Sequence, residues 1–397
     1  MRKEAGGSSR LFRRLLENKL IFLDRMDYRL LQTVLVLTAI GIVMVYSASS
    51  VRAMDILGNP QFYLFGHLLR VAVGIAAMLF FATYDYHRLR KYAGLMLALV
   101  LIPLIVVLFT APHSDVHRWI KIGSFQFQPS DLARLALVLF IADFVARNRN
   151  HRAEIKRFLL PLCAVSGTVI VLVLLEPNYG TAVVIFALFL GMLFLSGVPL
   201  LKIAGVTFSG ILVIAAKMFS TPRSSAYAIE RIIASIKGEI PPNVLQSLIA
   251  FASGSLFGSS LGKQKMYFLP RPHTDFIFSV IGEEFGFVGT TLVLALFLYL
   301  FYRGLKISLH SRDYFGALLG SGLTVMIMLY AILNIAVALA RFPVTGLPLP
   351  FVSFGGTALL VNFISVGILL NISSQVSVPL DESVLAPDRM KNVRFQT

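Results

Sequence analysis

Tyr267-Phe268-Leu269-Pro270-Arg271-Pro272-His273-Thr274-Asp275-Phe276-Ile277-Phe278-Ser279-Val280-Ile281-Gly282-Glu283-Glu284-Phe285-Gly286 is the stretch on which the reading of this chain turns. It opens as a proline-broken polar loop and presents His273, Thr274 and Asp275 where the loop meets an apolar run. It then carries two adjacent carboxylates into that run. Carboxylates at the rim or inside of hydrocarbon are costly, so Asp275, Glu283 and Glu284 read as functional groups. The competing reading makes them helix-end and bundle-interior groups satisfied by partners, with Asp275 as the N-cap of the helix that follows.

Outward from this stretch, the composition sets the class. The chain is 57% hydrophobic and 14% charged, with a mean hydropathy of +0.78, too few charges to cover a soluble surface. The expectation is an all-α integral membrane protein. Apolar runs long enough to cross a bilayer lie near 29–50, 63–84, 93–111, 130–147, 158–176, 180–197, 200–219, 276–303, 315–341 and 352–373, predicting about ten transmembrane helices. Residues 1–28 form a basic cytoplasmic tail, 29–375 the membrane domain with a large outer loop at 218–275 between helices 7 and 8, and 376–397 a cytoplasmic C-terminal tail. The net charge of +16 is spread over short loops, where it orients the chain and meets anionic headgroups, so nucleic acid is not expected as a partner. Cys163 is the single cysteine and lies in an apolar run, which excludes an internal disulfide.

The loops test the span count independently. From a cytoplasmic N-terminus the inner loops receive His87-Arg88-Leu89-Arg90-Lys91, then Arg147, Arg149, Arg152, Lys156 and Arg157, then Lys202, then Arg303, Lys306 and Arg312. Each agrees with the positive-inside rule. The outer loops then hold the unusual chemistry. Between 112 and 134, Arg118-Trp119, Lys121, Gln128, Asp131 and Arg134 mix cations with aromatics, as a headgroup-level anchor or a phosphate-bearing ligand would require. Residues 220–275 are too long for a plain connector and contain a helix-like run, Val244 to Phe257, with Gly254, Gly258 and Gly262 permitting close backbone approach. That segment is read as a re-entrant or surface-lying element covering a site. Asp143, near the inner end of its span, is expected to pair with Arg147.

Several of these motifs agree on one family. Phe268-Leu269-Pro270 with His273-Thr274-Asp275-Phe276-Ile277-Phe278, Gly282-Glu283-Glu284-Phe285-Gly286, Arg118-Trp119, Gln128-Pro129-Ser130, Glu176-Pro177 with Gly180-Thr181, Gln246-Ser247, and Gly346-Leu347-Pro348-Leu349-Pro350 leading to Ser353-Phe354-Gly355-Gly356 together resemble the SEDS family. Those are the shape, elongation, division and sporulation proteins FtsW, RodA and SpoVE. The likeness runs from about residue 29 to 375.

The resemblance implies a peptidoglycan glycosyltransferase that polymerises lipid II on the outer face of the bacterial cytoplasmic (inner) membrane, working with a class B penicillin-binding protein transpeptidase among divisome or elongasome membrane proteins. It maps the family's key aspartate onto Asp275, as general base. The departing lipid pyrophosphate needs cations, for which Arg118, Lys121, Arg134, Lys263, Lys265, Arg271 and Arg341 are candidates. His273, Thr274, Glu283, Glu284, Asp131, Gln128 and Ser353 are supporting candidates. Asn178 and Arg271 stand where the family commonly has carboxylates, which disfavours a carboxylate cluster holding a metal beside Asp275. No metal ligand set is assigned, and a divalent Mg or Mn ion is the one cofactor left open. Phe354 replaces a usual Tyr. A family arginine is absent at Gly66, with Arg70 one helical turn on.

Two function classes stay in play: the polymerase, and a non-catalytic lipid II flippase or scaffold. Charge gathered at the outer mouth, rather than spread through the bilayer depth, favours the first. Within the family, Tyr46-Ser47-Ala48-Ser49-Ser50, Thr345 to Phe351 and the long basic N-terminal tail look more like the division type at the septum than the elongation type. Small residues at Gly205, Gly210, Gly316, Gly320 and Gly322 are candidates for a groove that takes a partner's single helix, or for internal packing.

The loop charges generate a direct expectation. Reporter fusions after Lys91, Arg152, Arg312 and the C-terminus should report cytoplasm, and a tag inserted near Lys237 should react with impermeant reagents from outside. A tag near Lys237 that is protected in intact cells and reacts only after lysis removes the outer-face site.

Overall fold

The computed structural model describes residues 25–109, 118–122, 125–152, 154–220, 237, 240–259, 269 and 272–376. Its long elements are α1 (Tyr28–Leu57), α2 (Phe62–Thr83), α3 (Tyr86–Val107), α4 (Pro129–Arg147), α5 (Leu160–Leu175), α6 (Tyr179–Leu195), α7 (Leu200–Ser220), α8 (Pro242–Gly254), α9 (Ile277–Leu309), α10 (Tyr314–Ala338) and α11 (Thr357–Gln375). Each of the ten expected spans falls on one of these helices. Among the described residues, eight helices are long and apolar enough to cross a membrane, the one at Leu160–Leu175 counted with the π-helical turn Ile155–Leu159 that precedes it. The other two expected spans are α4, which carries Asp131, Arg134, Asp143 and Arg147, and α6, which has 17 residues.

The helices alternate in direction between two ends of one bundle. At one end the starts of α4 and α11 meet, where the Gln128 amide donates to Thr357 Oγ1 at 2.9 Å. The end of α10 meets the start of α9 there too, through Asn334 and the Asp275 carbonyl at 3.0 Å. At the other end Asp27, which caps α1, pairs with Arg303 of α9, and its amide donates to Ser373 of α11 at 3.1 Å. There also Arg90 of α3 and Arg147 of α4 both reach Asp143 Oδ1, at 2.9 and 2.8 Å. Asp143 thus serves a second arginine besides the one expected from the helical spacing.

α11 is the centre of the bundle, buried along nearly its whole length and touching α1, α2, α3, α4, α9 and α10. Its approach to α2 is set by small residues: a side chain at Gly74 would meet Phe363, and one at Gly367 the Met78 carbonyl. α4 is internal as well, which is why its charges can be met by protein groups rather than lipid. α7 is peripheral, with no buried residue in its span. Of the candidate groove glycines, Gly210, Gly316, Gly320 and Gly322 are taken up by internal contacts with Phe186, Ser311, Ser308 and Met192, whereas Gly205 faces open space.

Two features depart from a simple row of helices. Ile120–Ile122 (β1) pairs antiparallel with Phe125–Phe127 (β2), Ile120 opposite Phe127. The period-2 patterns Ile-Lys-Ile and Phe-Gln-Phe around Gly123-Ser124 carry that signal, short enough to be missed in an all-α reading. The second is a break in α9 at Gly286, where φ is 64° and ψ is −158°, a conformation essentially restricted to glycine. The residues after α8 run against this break. Phe287 and Val288 amides donate to the Ser255 and Leu256 carbonyls at 3.0 and 3.2 Å, and the Ser259 amide donates to the Glu283 carbonyl at 2.9 Å. Gly254 and Gly258 lie so close to the backbone of 282–285 that a side chain at either would collide with it. The close approach expected of these two glycines is therefore onto the carboxylate-bearing helix; Gly262 lies outside the described residues.

A Cβ at Gly286 would sit 2.5 Å from the Gly258 nitrogen and 2.6 Å from Leu256 backbone atoms. Gly286→Ala is expected to destabilise the protein by about 2 kcal/mol or more, through φ strain plus a clash that backbone cannot relieve. Gly205→Ala should sit within about 0.5 kcal/mol of wild type. Thermal unfolding in detergent compares the two; equal midpoints for both variants would refute the role of the break.

Candidate functional site

The turn before α9 is fixed by its carbonyls. The His273 carbonyl accepts from the Phe354 amide at 2.9 Å, the Thr274 carbonyl from Ser353 Oγ at 2.6 Å, and the Asp275 carbonyl from Asn334 Nδ2 at 3.0 Å. Asn334 Nδ2 also donates to the Leu347 carbonyl at 2.8 Å, and Ser353 Oγ accepts from the Leu349 amide at 2.9 Å. Three successive carbonyls are thus held by α10 and the 347–354 segment, and the side chain of Asp275 is left half-buried beside them. The N-cap of α9 is Phe276, so the alternative role of Asp275 as the cap is set aside. Gly346, at φ 70°, passes next to the carboxylate: a Cβ there would be 3.7 Å from Asp275 Oδ2.

One flank of this turn is aromatic and cationic. The buried His273 ring lies 4.8 Å from Tyr63 and 5.6 Å, edge on, from Phe354. Phe354 in turn carries the Arg70 guanidinium 4.4 Å from its ring centre and lies 5.9 Å from His67. A Cβ at Gly66 would be 3.0 Å from Arg70 Nη1, so Arg70 does cover the position one turn earlier. His67 is fully buried, and neither ring nitrogen has a hydrogen-bond partner among the described residues. Tyr63 and His67 were not among the sequence candidates. A histidine and an arginine at i and i+3 in an apolar span were the available signal for His67, whereas a tyrosine near a span end gave none.

The other flank is built by the start of α4 and the α5–α6 turn. Arg118 donates through Nη2 to the Pro177 carbonyl, tying the residues just before β1 to that turn. Gln128 Nε2 donates to Ser130 Oγ at 3.0 Å, which Asn178 Nδ2 approaches at 3.5 Å. Gly180 packs directly on Thr345, joining this flank to the segment beside Asp275. Arg134 is fully buried, 3.7 Å from Asp131 and 3.7 Å from the centre of the Tyr330 ring. A guanidinium between a carboxylate and an aromatic face is a wall of the bundle, partly desolvated and held in place. Glu176 is buried nearby, with neither carboxylate oxygen hydrogen-bonded to a described residue.

Glu283 and Glu284 are buried below the turn, one to two helical turns along α9. Glu284 accepts a hydrogen bond from Ser47 of α1, and the Glu283 carbonyl belongs to the repair of the Gly286 break. The structure therefore brings Asp275, His273, Thr274 and Ser353 together, places Glu283 and Glu284 in the scaffold beneath, and sets Arg118, Gln128, Asp131 and Arg134 on a neighbouring wall. Arg341 is exposed just beyond α10. Lys263, Lys265 and Arg271 lie outside the described residues, as does the side chain of Lys121. Among the described residues no group of three or more His, Cys, Asp or Glu side chains could hold a metal ion.

A polytopic helical bundle with a clasped aspartate at one end is the class of protein this geometry defines. The chain belongs to the family described as "Cell cycle protein", FTSW_RODA_SPOVE, which it matches over residues 28–378. It is 37% identical to the probable peptidoglycan glycosyltransferase FtsW of Trichlorobacter lovleyi, over 88% of this chain and 93% of that one. It is 33% identical to the stage V sporulation protein E of Bacillus subtilis, over 87% and 96%. Among solved structures, the crystal structure of the rod shape determining protein RodA of Thermus thermophilus superposes with a TM-score of 0.66 at 25% identity, covering 89% of this chain and 98% of that one. A chain of a peptidoglycan synthase complex, described for its coordination of polymerization and crosslinking, superposes with a TM-score of 0.73 at 26% identity, covering 88% and 97%.

The clasp makes a measurable demand on Asn334. Asn334→Ala leaves the carbonyls of Asp275 and Leu347 without their donor, at a cost of about 1–3 kcal/mol. The expected result is a lowered unfolding midpoint in detergent and faster hydrogen exchange at the 273–277 amides. Exchange there that is unchanged in the variant refutes the clasp.

Proposed function

We propose that this chain is a peptidoglycan glycosyltransferase that polymerises lipid II at the end of the bundle where Asp275 lies, with Asp275 as general base. The observation that carries the reading is the half-buried carboxylate of Asp275 on a backbone held at three successive carbonyls, next to the side-chain-free Gly346. Rigid placement is what a base requires, because proton transfer depends on a heavy-atom separation near hydrogen-bond length. In the step, the 4-hydroxyl oxygen of one lipid-linked disaccharide bonds to the anomeric carbon of another. Its proton passes to Asp275, and the bond from that carbon to the lipid pyrophosphate breaks. Cations must receive the developing pyrophosphate charge. Arg118, close to this end, is the described candidate for direct contact; Arg134, buried against Tyr330, acts as a positioning residue for the α4 wall. Lys121, Lys263, Lys265, Arg271 and Arg341 complete the candidate set.

The similarity to an FtsW protein supports a role in division and at the septum. The likeness to a chain of a synthase complex supports a class B penicillin-binding protein as partner. The site end then faces outward from the cytoplasmic membrane, and the basic end, with the tails 1–28 and 376–397, faces the cytoplasm. The membrane domain spans 29–375, with the long loop 218–275 on the outer face.

Asp275→Asn keeps shape and removes the basic oxygen. Polymerisation of fluorescent lipid II by the purified protein with its cognate transpeptidase should fall about 10²-fold or more, while lipid II binding and partner binding persist. A near-normal rate in the variant makes Asp275 structural. A wild type that binds both and makes no glycan hands the chain to the flippase or scaffold reading.

A further inference from the structure

The end of the bundle opposite Asp275 holds a second built feature. α4, 19 residues long, starts beside the Asp275 flank and ends at Arg147, about 27 Å away at 1.5 Å per residue. There a shallow, open depression of about 310 Å³ is lined by His87, Arg88, Arg90, Lys91 and Arg147. Four of these are permanent cations. One carboxylate, Asp143, serves two of them through the single oxygen Oδ1. Asp85 and Asp313 are engaged with the ring of His87, at 2.9 and 3.5 Å. Arg90 is fixed further by Phe315, 5.4 Å from the ring centre. Arg88 and Lys91 are exposed at the mouth.

Below the mouth, α3 presents one continuous stripe. Lys91, Leu95, Ala98, Ile102 and Ile105 follow spacings of four and three and are all exposed. A cationic depression that runs directly into an exposed apolar helix face of about 21 Å has the polarity of a phospholipid: phosphate at the top, acyl chain along the helix. A soluble anion would use the cations and leave the stripe idle. We propose that this depression and the α3 stripe bind one acidic phospholipid, its phosphate held by Arg88 and Lys91 in front of the Asp143-anchored pair Arg90 and Arg147. The proposal is independent of the glycosyltransferase reading and of Asp275.

The test uses the purified full chain, titrated with phosphatidylglycerol or phosphatidylcholine in detergent, with bound lipid counted by native mass spectrometry. Arg88→Gln combined with Lys91→Gln should raise the apparent Kd for phosphatidylglycerol roughly tenfold, leave phosphatidylcholine retention unchanged and keep the unfolding midpoint. Lys202→Gln combined with Lys306→Gln, which removes the same charge elsewhere at this end, should leave the Kd unchanged. Millimolar inorganic phosphate should not displace the lipid. Four outcomes overturn the proposal: equal retention of the two lipids by wild type, an equal loss in both double variants, full displacement by inorganic phosphate, which assigns the depression to a soluble anion, or displacement by equimolar undecaprenyl pyrophosphate, which assigns it to a polyprenyl ligand.

Discussion

Hydrocarbon offers no hydrogen bonds, so every backbone group that leaves a helix inside the bundle needs a partner from the protein itself. The arrangement around Asp275 follows from that requirement. α9 breaks at Gly286, and the amides and carbonyl freed there are taken by residues 255–259. The turn ahead of α9 leaves three carbonyls in sequence, and Phe354, Ser353 and Asn334 supply the donors. Each such bond contributes modestly to net stability, about 1 kcal/mol, yet leaving its partner unsatisfied at this depth costs more. The consequence is a short, irregular segment held as firmly as a helix.

Charge obeys the same logic and divides the molecule into two ends. Several buried charges are paired or stacked: Arg134 between Asp131 and Tyr330, Asp27 with Arg303, Asp143 with two arginines. α4 can carry four charged residues because it is internal, and this polarity is also what makes it a weak span by composition. The hydrogen bond from Ser47 to Glu284 ties α1 to the segment of α9 between the turn and the break at Gly286. Glu283 and Glu284 are both buried in the scaffold beneath the turn.

Asn178 and Phe354 stand where the resemblance led to a carboxylate and a tyrosine, and each makes contacts of its own. With an amide at 178, the α5–α6 turn is tied by one long neutral hydrogen bond to Ser130 and by the Arg118 guanidinium on a backbone carbonyl. Phe354, lacking a hydroxyl, contributes instead through its ring faces to His273, Arg70 and His67. Neither side chain supplies a hydrogen bond to the carbonyls of residues 273–275, which the Phe354 amide, Ser353 Oγ and Asn334 Nδ2 hold.

Apolar run lengths and loop cations were enough to locate every long helix, because crossing hydrocarbon imposes a length and a polarity that any sequence must display. Asp275 was legible for the same reason: a carboxylate where a loop enters an apolar run has few bland explanations. The β1–β2 hairpin was missed because three-residue strands carry too little pattern to stand out between spans. Tyr63 and Asn334 were missed because a span-end tyrosine and an asparagine in an apolar helix, 59 residues downstream of Asp275, say nothing locally about what they hold; Ser353 and Phe354 stood out as a motif, but not as donors to the carbonyls of residues 273 and 274. The glycines at 254 and 258 announced a close approach, but only the tertiary structure decided that it was onto the backbone of Glu283 and Glu284, since periodicity fixes which face of a helix is buried and not what lies against it.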